Sequence, residues 1–332
     1  SEYARKPPVP IASVVSGNRK KIKVNIIDIK QQLADIEKDK ELWFKAEMTN
    51  RQFAALSHKL VTADIENEIV NLDFFKTKLT KAKHLDLNEV EKWLKNSWNT
   101  ENVLNQNKSV IESTGQSFAM QWAFPQAYYS TYASLMAHFK ALGYTQESHT
   151  AVLKNFALLA EQNKLPESIS FLCNGGMRNF EFTNIEKPTG VSSMDFDTSN
   201  SKTIDNQICQ FLKATREIKL EEKAPQLKFK SKKGLLRKNL NCSMWKQVSN
   251  SLGQTTIMDL LYRKRIKANY HDIDTFSSNH FKGIEVLESL TSIVSRINLI
   301  NETYIAKAIG IENYEAMLNR HLKLANNESV KT

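Results

Sequence analysis

Residues 121–143 read Q-W-A-F-P-Q-A-Y-Y-S-T-Y-A-S-L-M-A-H-F-K-A-L-G. Tyr128, Tyr132, Leu135, Phe139 and Leu142 recur at steps of three and four, the spacing of one buried helical face. Pro125 suits a first helical turn, where its missing N–H is no loss, and Gly143 suits the stop. After a short connection Ser148 is placed to cap a second helix whose Ala151, Val152, Phe156 and Leu159 face inward. The stretch predicts an antiparallel helix pair.

The same rhythm extends to both sides. Before it come Ile26, Ile29, Leu33 and Ile36, then Phe53, Leu56 and Leu60, then Ile65, Ile69, Leu72 and Leu79. An Asp86-x-x-Glu89 capping box then opens a run with Val90, Trp93 and Leu94. These predict a helical N-terminal module over 19–112, a unit for packing or dimerisation, behind an extended arm over 1–18 that carries Pro7, Pro8 and Pro10. Between 165 and 243 the rhythm weakens around Asn174-Gly175-Gly176 and a polar run at 183–203. Only a short helix at Ile204, Ile208 and Phe211 is expected there. Helical spacing returns at Ile257, Leu260 and Leu261 and again over 277–332, through Ile284, Leu287, Val294 and Ile297 to Tyr314, Leu318 and Leu322. The expected class is all-α: an N-terminal module, a bundle over 113–276 split by a mixed, partly basic insertion at about 165–243, and C-terminal helices.

Composition agrees. The 332 residues include 10 Gly and 7 Pro, well under the roughly 7% and 5% of average usage, which argues against a turn-rich β architecture. Hydrophobic residues make up 41%, enough for a proper core and against disorder throughout. No window offers the roughly 20 apolar residues of a membrane span, so no membrane partner is expected. Cys173, Cys209 and Cys242 form no C-x-x-C, and no secretory segment opens the chain, which predicts reduced thiols in a cytoplasm. The seven histidines show no H-x-x-x-H, Asn174-Gly175-Gly176 lacks the Lys-Ser/Thr of a phosphate loop, and no G-x-S-x-G occurs. Neither a metal nor a cofactor is expected, nor a nucleotide-hydrolysing engine or a serine or cysteine hydrolase.

The net charge of +10 has two foci and favours a polyanionic partner. One is Leu227 to Lys238, where Lys228, Lys230, Lys232, Lys233, Arg237 and Lys238 stand without an acidic residue around Phe229. Clustered cations release counterions from phosphates, and an interleaved aromatic ring stacks on an unpaired base. The other is Arg263, Lys264, Arg265 and Lys267. The two together are candidates for an RNA path.

The second focus also carries a motif. Arg265, five residues and His271 fit R-x(4–6)-H. Together with Q-A-Y-Y-S-T-Y-A at 126–133 and G-Y-T-Q-E-S-H at 143–149, this resembles the HEPN superfamily over roughly 117–163 and 250–276. The resemblance implies a helical domain that often dimerises. In active members it cleaves RNA without a metal, through a helix-borne Arg and His from each protomer and attack by the ribose 2′-hydroxyl. Carried over, Arg265 stabilises phosphate and His271 moves a proton. Ile266, where active members usually have a polar residue, departs from the active pattern. Helix geometry offers a structural alternative. His271 falls about 120° round a straight helix from Arg265, whereas Asn269 and Asp272 fall within about 40° and 20°. On that reading Arg265, Asn269 and Asp272 form a polar network and His271 faces solvent. Two functions therefore stay open: an endoribonuclease of the toxin or antiviral-defence kind acting as a homodimer, or a non-catalytic RNA-binding or assembly subunit of a larger complex.

Overall fold

The computed structural model describes residues 19–78, 85–114, 120–177, 179–230, 234, 236–237, 239–270, 273–276, 278 and 280–329, with side chains from 31 to 323 except 269, 270 and 273. The arm expected over 1–18 lies outside the described residues. Within them the chain is mainly helical: α1 (Arg19–Thr62), α2 (Ile65–Asn71), α3 (Asp73–Lys76), α4 (Leu87–Thr114), α5 (Met120–Ala141), α6 (His149–Glu161), α7 (Ser201–Lys223), α8 (Cys242–Asn250), α9 (Ile257–Tyr270), α10 (Ile273–Phe276), α11 (Gly283–Ile309) and α12 (Ile311–Ser329). One antiparallel hairpin joins β1 (Leu172–Gly176) to β2 (Asn179–Thr183), in register Leu172 to Thr183. Gly175 turns it at φ +88°, where a Cβ would meet the Asn179 carbonyl oxygen at 1.9 Å, so no other residue fits. No described helix is long and apolar enough to cross a membrane.

The expected caps form. Asp86 accepts from the backbone N–H of Asn88 at 2.9 Å, and Ser148 Oγ accepts from Ala151 N at 3.2 Å. At Gly143, φ +83°, α5 ends in a Schellman motif: Tyr144 N donates to Phe139 O and Gly143 N to Lys140 O, while the Phe139 and Tyr144 rings meet at 5.4 Å. Two expectations need correction. Pro125 is not in a first turn, because α5 already starts at Met120. The expected short helix after residue 203 is α7, with 23 residues. It lasts because burial outweighs its charged sequence: Phe211 packs edge-on to Phe53 at 5.5 Å. Farther along, Arg216 is fully buried and donates to Gly175 O, Gly253 O, Asn174 Oδ1, Ser249 O and Ser249 Oγ. A guanidinium is tolerated there because its donors are occupied.

Helix α5 lies at the centre, against α4, α9 and α11, with α1 and α7 completing the wall. A single apolar cluster contains Phe53 and Leu104 of the expected N-terminal module, Phe124 and Tyr128 of the expected bundle, and Leu290 and Ile297 of the expected C-terminal helices. The core therefore runs continuously across 112/113 and 276/277. A smaller cluster of Leu94, Trp98, Ile305, Ile309 and Met317 seats α12.

His138, fully buried on α5, donates from Nδ1 to Asn301 Oδ1 on α11 at 3.1 Å. Burial pushes its imidazole down to about 4, against which the Asn301 bond acts weakly. The unfolded chain takes up this proton near pH 6.5 and the folded chain does not, so stability is full above about 6.5 and declines as pH falls toward 4. About 3 kcal/mol is expected to be lost through this group, read by urea unfolding at stepped pH. His138→Leu should flatten that segment of the profile; an unchanged slope would assign it to other groups.

Candidate functional site

Helix α9 starts under tight control: Asp259 Oδ2 accepts from Thr256 N at 2.8 Å and from Thr256 Oγ1 at 3.1 Å, and Lys219 of α7 pairs with Asp259 at 2.7 Å. This fixes the start of α9 against α7, on a helix that carries the four cations expected to line an RNA path. The structure does not present them as one surface. Arg263 Nη1 donates to Thr215 Oγ1 at 3.0 Å, and buried Lys264 donates to Thr49 Oγ1 at 2.8 Å beside the rings of Phe53 and Phe211. Lys267 is half-buried.

Arg265 stands apart from these. Its guanidinium carbon lies 5.4, 5.3 and 5.0 Å from the ring centres of Tyr128, Tyr129 and Tyr262, and Nη1 donates to Tyr129 Oη at 2.9 Å. Aromatic faces attract a cation without neutralising it. Arg265 has no carboxylate partner among the described residues, and its Nε–H is buried without an acceptor. A guanidinium without a carboxylate partner attracts an anionic acceptor, which its Nη groups, rather than the buried Nε–H, would have to grip.

An imidazole in this cradle is that of His149. His149 opens α6, and its Nδ1 lies 2.8 Å from Tyr128 Oη. Its ring sits 4.3 Å from Tyr132 and 6.1 Å from Tyr262. Desolvation, and then the Arg265 charge, lower its pKa, so it is neutral at pH 7. Burial keeps the Tyr128 phenol protonated, its pKa moving far up. A neutral ring that donates Nδ1–H to Tyr128 keeps a free lone pair on Nε2; one that accepts there carries its proton on Nε2.

Only one face of α5 reaches solvent beside this cradle, and it carries Trp122 and Tyr129, both exposed. Seven residues separate them in sequence, so they point in nearly the same direction about 10 Å apart. Of the basic run, Lys228, Lys230 and Arg237 are exposed on a small turn in which Lys230 bridges to Leu236 and Arg237 N donates to Phe229 O at 2.9 Å. Lys228 has a left-handed backbone, φ +48°, so the expected one-sided alternation does not start there. Lys232, Lys233, Lys238, His271, Asp272 and the Asn269 side chain lie outside the described residues.

Two of the three cysteine thiols are sealed, whereas Cys242 is exposed. Burial pushes the Cys173 and Cys209 thiols up to about 12, and no described cysteine forms a disulfide. No group of three or more metal-ligating side chains assembles among the described residues. Comparison of the chain with family models, with curated proteins and with solved structures finds no match.

The sequence singled out Arg265, whereas His149 entered only as the last residue of the 143–149 segment and was given no role in the chemistry. Its available signal was its position directly after a tight helix turn, one short connection from three tyrosines. An NMR titration is expected to find the His149 imidazole below the ordinary histidine value, and Arg265→Ala should move it upward. A titration that ignores the substitution would uncouple the two groups.

Proposed function

We propose that this chain is a HEPN-like RNA-binding protein that cleaves RNA without a metal, with Arg265 as the phosphate anchor and His149 as the proton acceptor. The observation that carries this reading is the unpaired Arg265 guanidinium, held on three tyrosine faces beside a neutral imidazole. A fixed cation stabilises charge on the pentacoordinate phosphate, and a neutral imidazole can take a proton near pH 7. With Nδ1–H donated to Tyr128, the ribose 2′-hydroxyl passes its proton to His149 Nε2 as its oxygen bonds to phosphorus. The 5′-oxygen leaves with a proton from the imidazolium or water, and a 2′,3′-cyclic phosphate remains. Such chemistry in an RNA-cleaving protein suits a toxin or antiviral-defence effector.

A second reading, non-catalytic RNA binding or assembly, has its own support. Tyr129, which touches Arg265, and Trp122, about 10 Å away along α5, are both exposed, and unpaired bases stack on such rings.

The test is incubation of single-stranded RNA with wild type, Arg265→Ala, His149→Ala and His271→Ala in excess chelator, with analysis of the product ends. Cyclic or 3′-phosphate ends from wild type and His271→Ala, with loss of about 100-fold or more in the other two, are expected. Loss in His271→Ala alone would return the proton transfer to that residue. Tight binding without cleavage, abolished by Trp122→Ala with Tyr129→Ala, would select the second reading. If Lys228, Lys230 and Arg237 contact phosphates, neutralising them should lower the salt slope of affinity by roughly one unit for each phosphate left without its cation.

A further inference from the structure

Helix α1 runs for 44 residues, about 66 Å, yet its first core residue among those with described side chains is Ala46. Over 31–41 every side chain is exposed, and Leu33, Ile36 and Trp43 retain 56%, 51% and 44% of their surface. Half-buried Leu42 faces the body, and Asp39 and Lys38 reach His280 and Asp274 at 3.0 and 3.8 Å. The three apolar side chains fall on a different side of the helix, within about 80° of one another. Beyond Trp43 that side is closed by the Glu47–Arg51 pair, with Arg51 donating to Met194 O. The stripe is thus open where α1 leaves the body and covered where it enters.

The sequence continues the stripe toward the N-terminus. Apolar residues occur at 22, 26, 29, 33, 36 and 43, with Lys40 completing a strict alternation of four and three. That is a heptad repeat sustained over three heptads, the pattern of a two-stranded coiled coil rather than of a helix lying on a globular core.

We propose that α1 pairs antiparallel with α1 of a second copy of this chain, centred near residue 31. The inference is independent of the RNA reading. Charge decides both partner and direction. Arg19, Lys20, Lys21 and Lys23 crowd the start of the helix, whereas Asp35, Glu37, Asp39 and Glu41 dominate its exposed middle. A parallel pair would set the basic block against itself and Lys40 against Lys40 inside the seam. The antiparallel pair sets residue 26 against 36 and 29 against 33, all apolar. At the ends Lys40 falls opposite Ile22 and Arg19 opposite the Trp43 indole, which takes a cation on its face. Lys23 comes beside Glu37, which has no partner within its own chain among the described residues. Asp39, Asp35 and Glu41 keep their contacts to His280, Gln31 and Lys45 and add only long-range attraction.

The experiment is sedimentation equilibrium of the full chain over a wide concentration range. A monomer–dimer equilibrium is expected, weakened by about 100-fold or more in Ile36→Asp, which removes two apolar layers per dimer. Because Ile36 is half exposed in the monomer, the variant's thermal melt at a concentration where both proteins are monomeric should match wild type. Lys23→Glu should weaken the dimer several-fold, and adding Glu37→Lys should restore it. Spin labels at Lys20→Cys in a Cys242→Ser background should lie about 33 Å apart when antiparallel and about 10 Å apart when parallel. A wild type that stays monomeric throughout, a dimer indifferent to Ile36→Asp, or the short distance would each overturn the proposal.

Discussion

Helix α5 is enclosed on nearly every side, and the other helices are arranged around the demands this makes. A central helix must bury its polar side chains as well as its apolar ones, and each buried polar group needs an internal partner. Ser130 exchanges hydrogen bonds with Ser97 of α4 at 3.0 and 3.1 Å, and Asn298 of α11 donates to the same Ser130 hydroxyl at 2.9 Å. Thr131 returns its hydroxyl to Ala127 O at 3.0 Å. Small residues, Ala123, Ala127, Ala133 and Ala137, let the neighbours come close enough for these bonds. The register of α4 and α11 on α5 is therefore set by directional contacts, with the apolar cluster supplying most of the driving force.

The candidate site follows from that enclosure. With α4, α9 and α11 against it, α5 has one strip left for solvent, and Arg265 of α9 arrives at its edge. The three tyrosines hold the guanidinium's position without cancelling its charge. The turn at Gly143 returns the chain so that His149 meets the same rings from α6. An imidazole that stays neutral and a cation that stays unpaired are thus produced by one arrangement of aromatic side chains. Lysine could not replace Arg265 equivalently, because its ammonium lacks the planar fork that lies along ring faces while donating at its edge.

Much of the architecture was legible in the sequence because it rests on local chemistry. Ser148, Asp86 and Gly143 each act within a few residues of themselves, and the three-four spacing of apolar residues marks most helices. What was not legible depends on long-range partners. Lys264 and Arg263 looked like surface cations, yet each is occupied by a threonine far away in the chain, Thr49 and Thr215. Arg216 lies beyond the short helix marked by Ile204, Ile208 and Phe211, and its burial is tolerable because acceptors on Asn174, Gly175, Ser249 and Gly253 surround it. Arg265 was singled out by its motif, but the imidazole that meets the same tyrosines, His149, comes from another helix, and no local spacing links the two. The exposed face of α5 was hidden for the opposite reason: Trp122 and Tyr129 are apolar enough to pass for core.

The enclosure of α5 also bears on how this protein can change over generations. At positions such as Ala127, Tyr128, Ser134 and His138, a substitution alters volume or strands a polar group in the interior, and selection for folding will remove most variants whatever they do for activity. Trp122 carries no such burden, since 61% of its surface is exposed, whereas Tyr129, though exposed, is tied to Arg265 by its ring and hydroxyl. Variation along this helix should therefore be funnelled chiefly into Trp122, at the rim of the exposed strip that adjoins the Arg265 cradle. A shift in what the rim recognises could then accumulate without disturbing the fold beneath it.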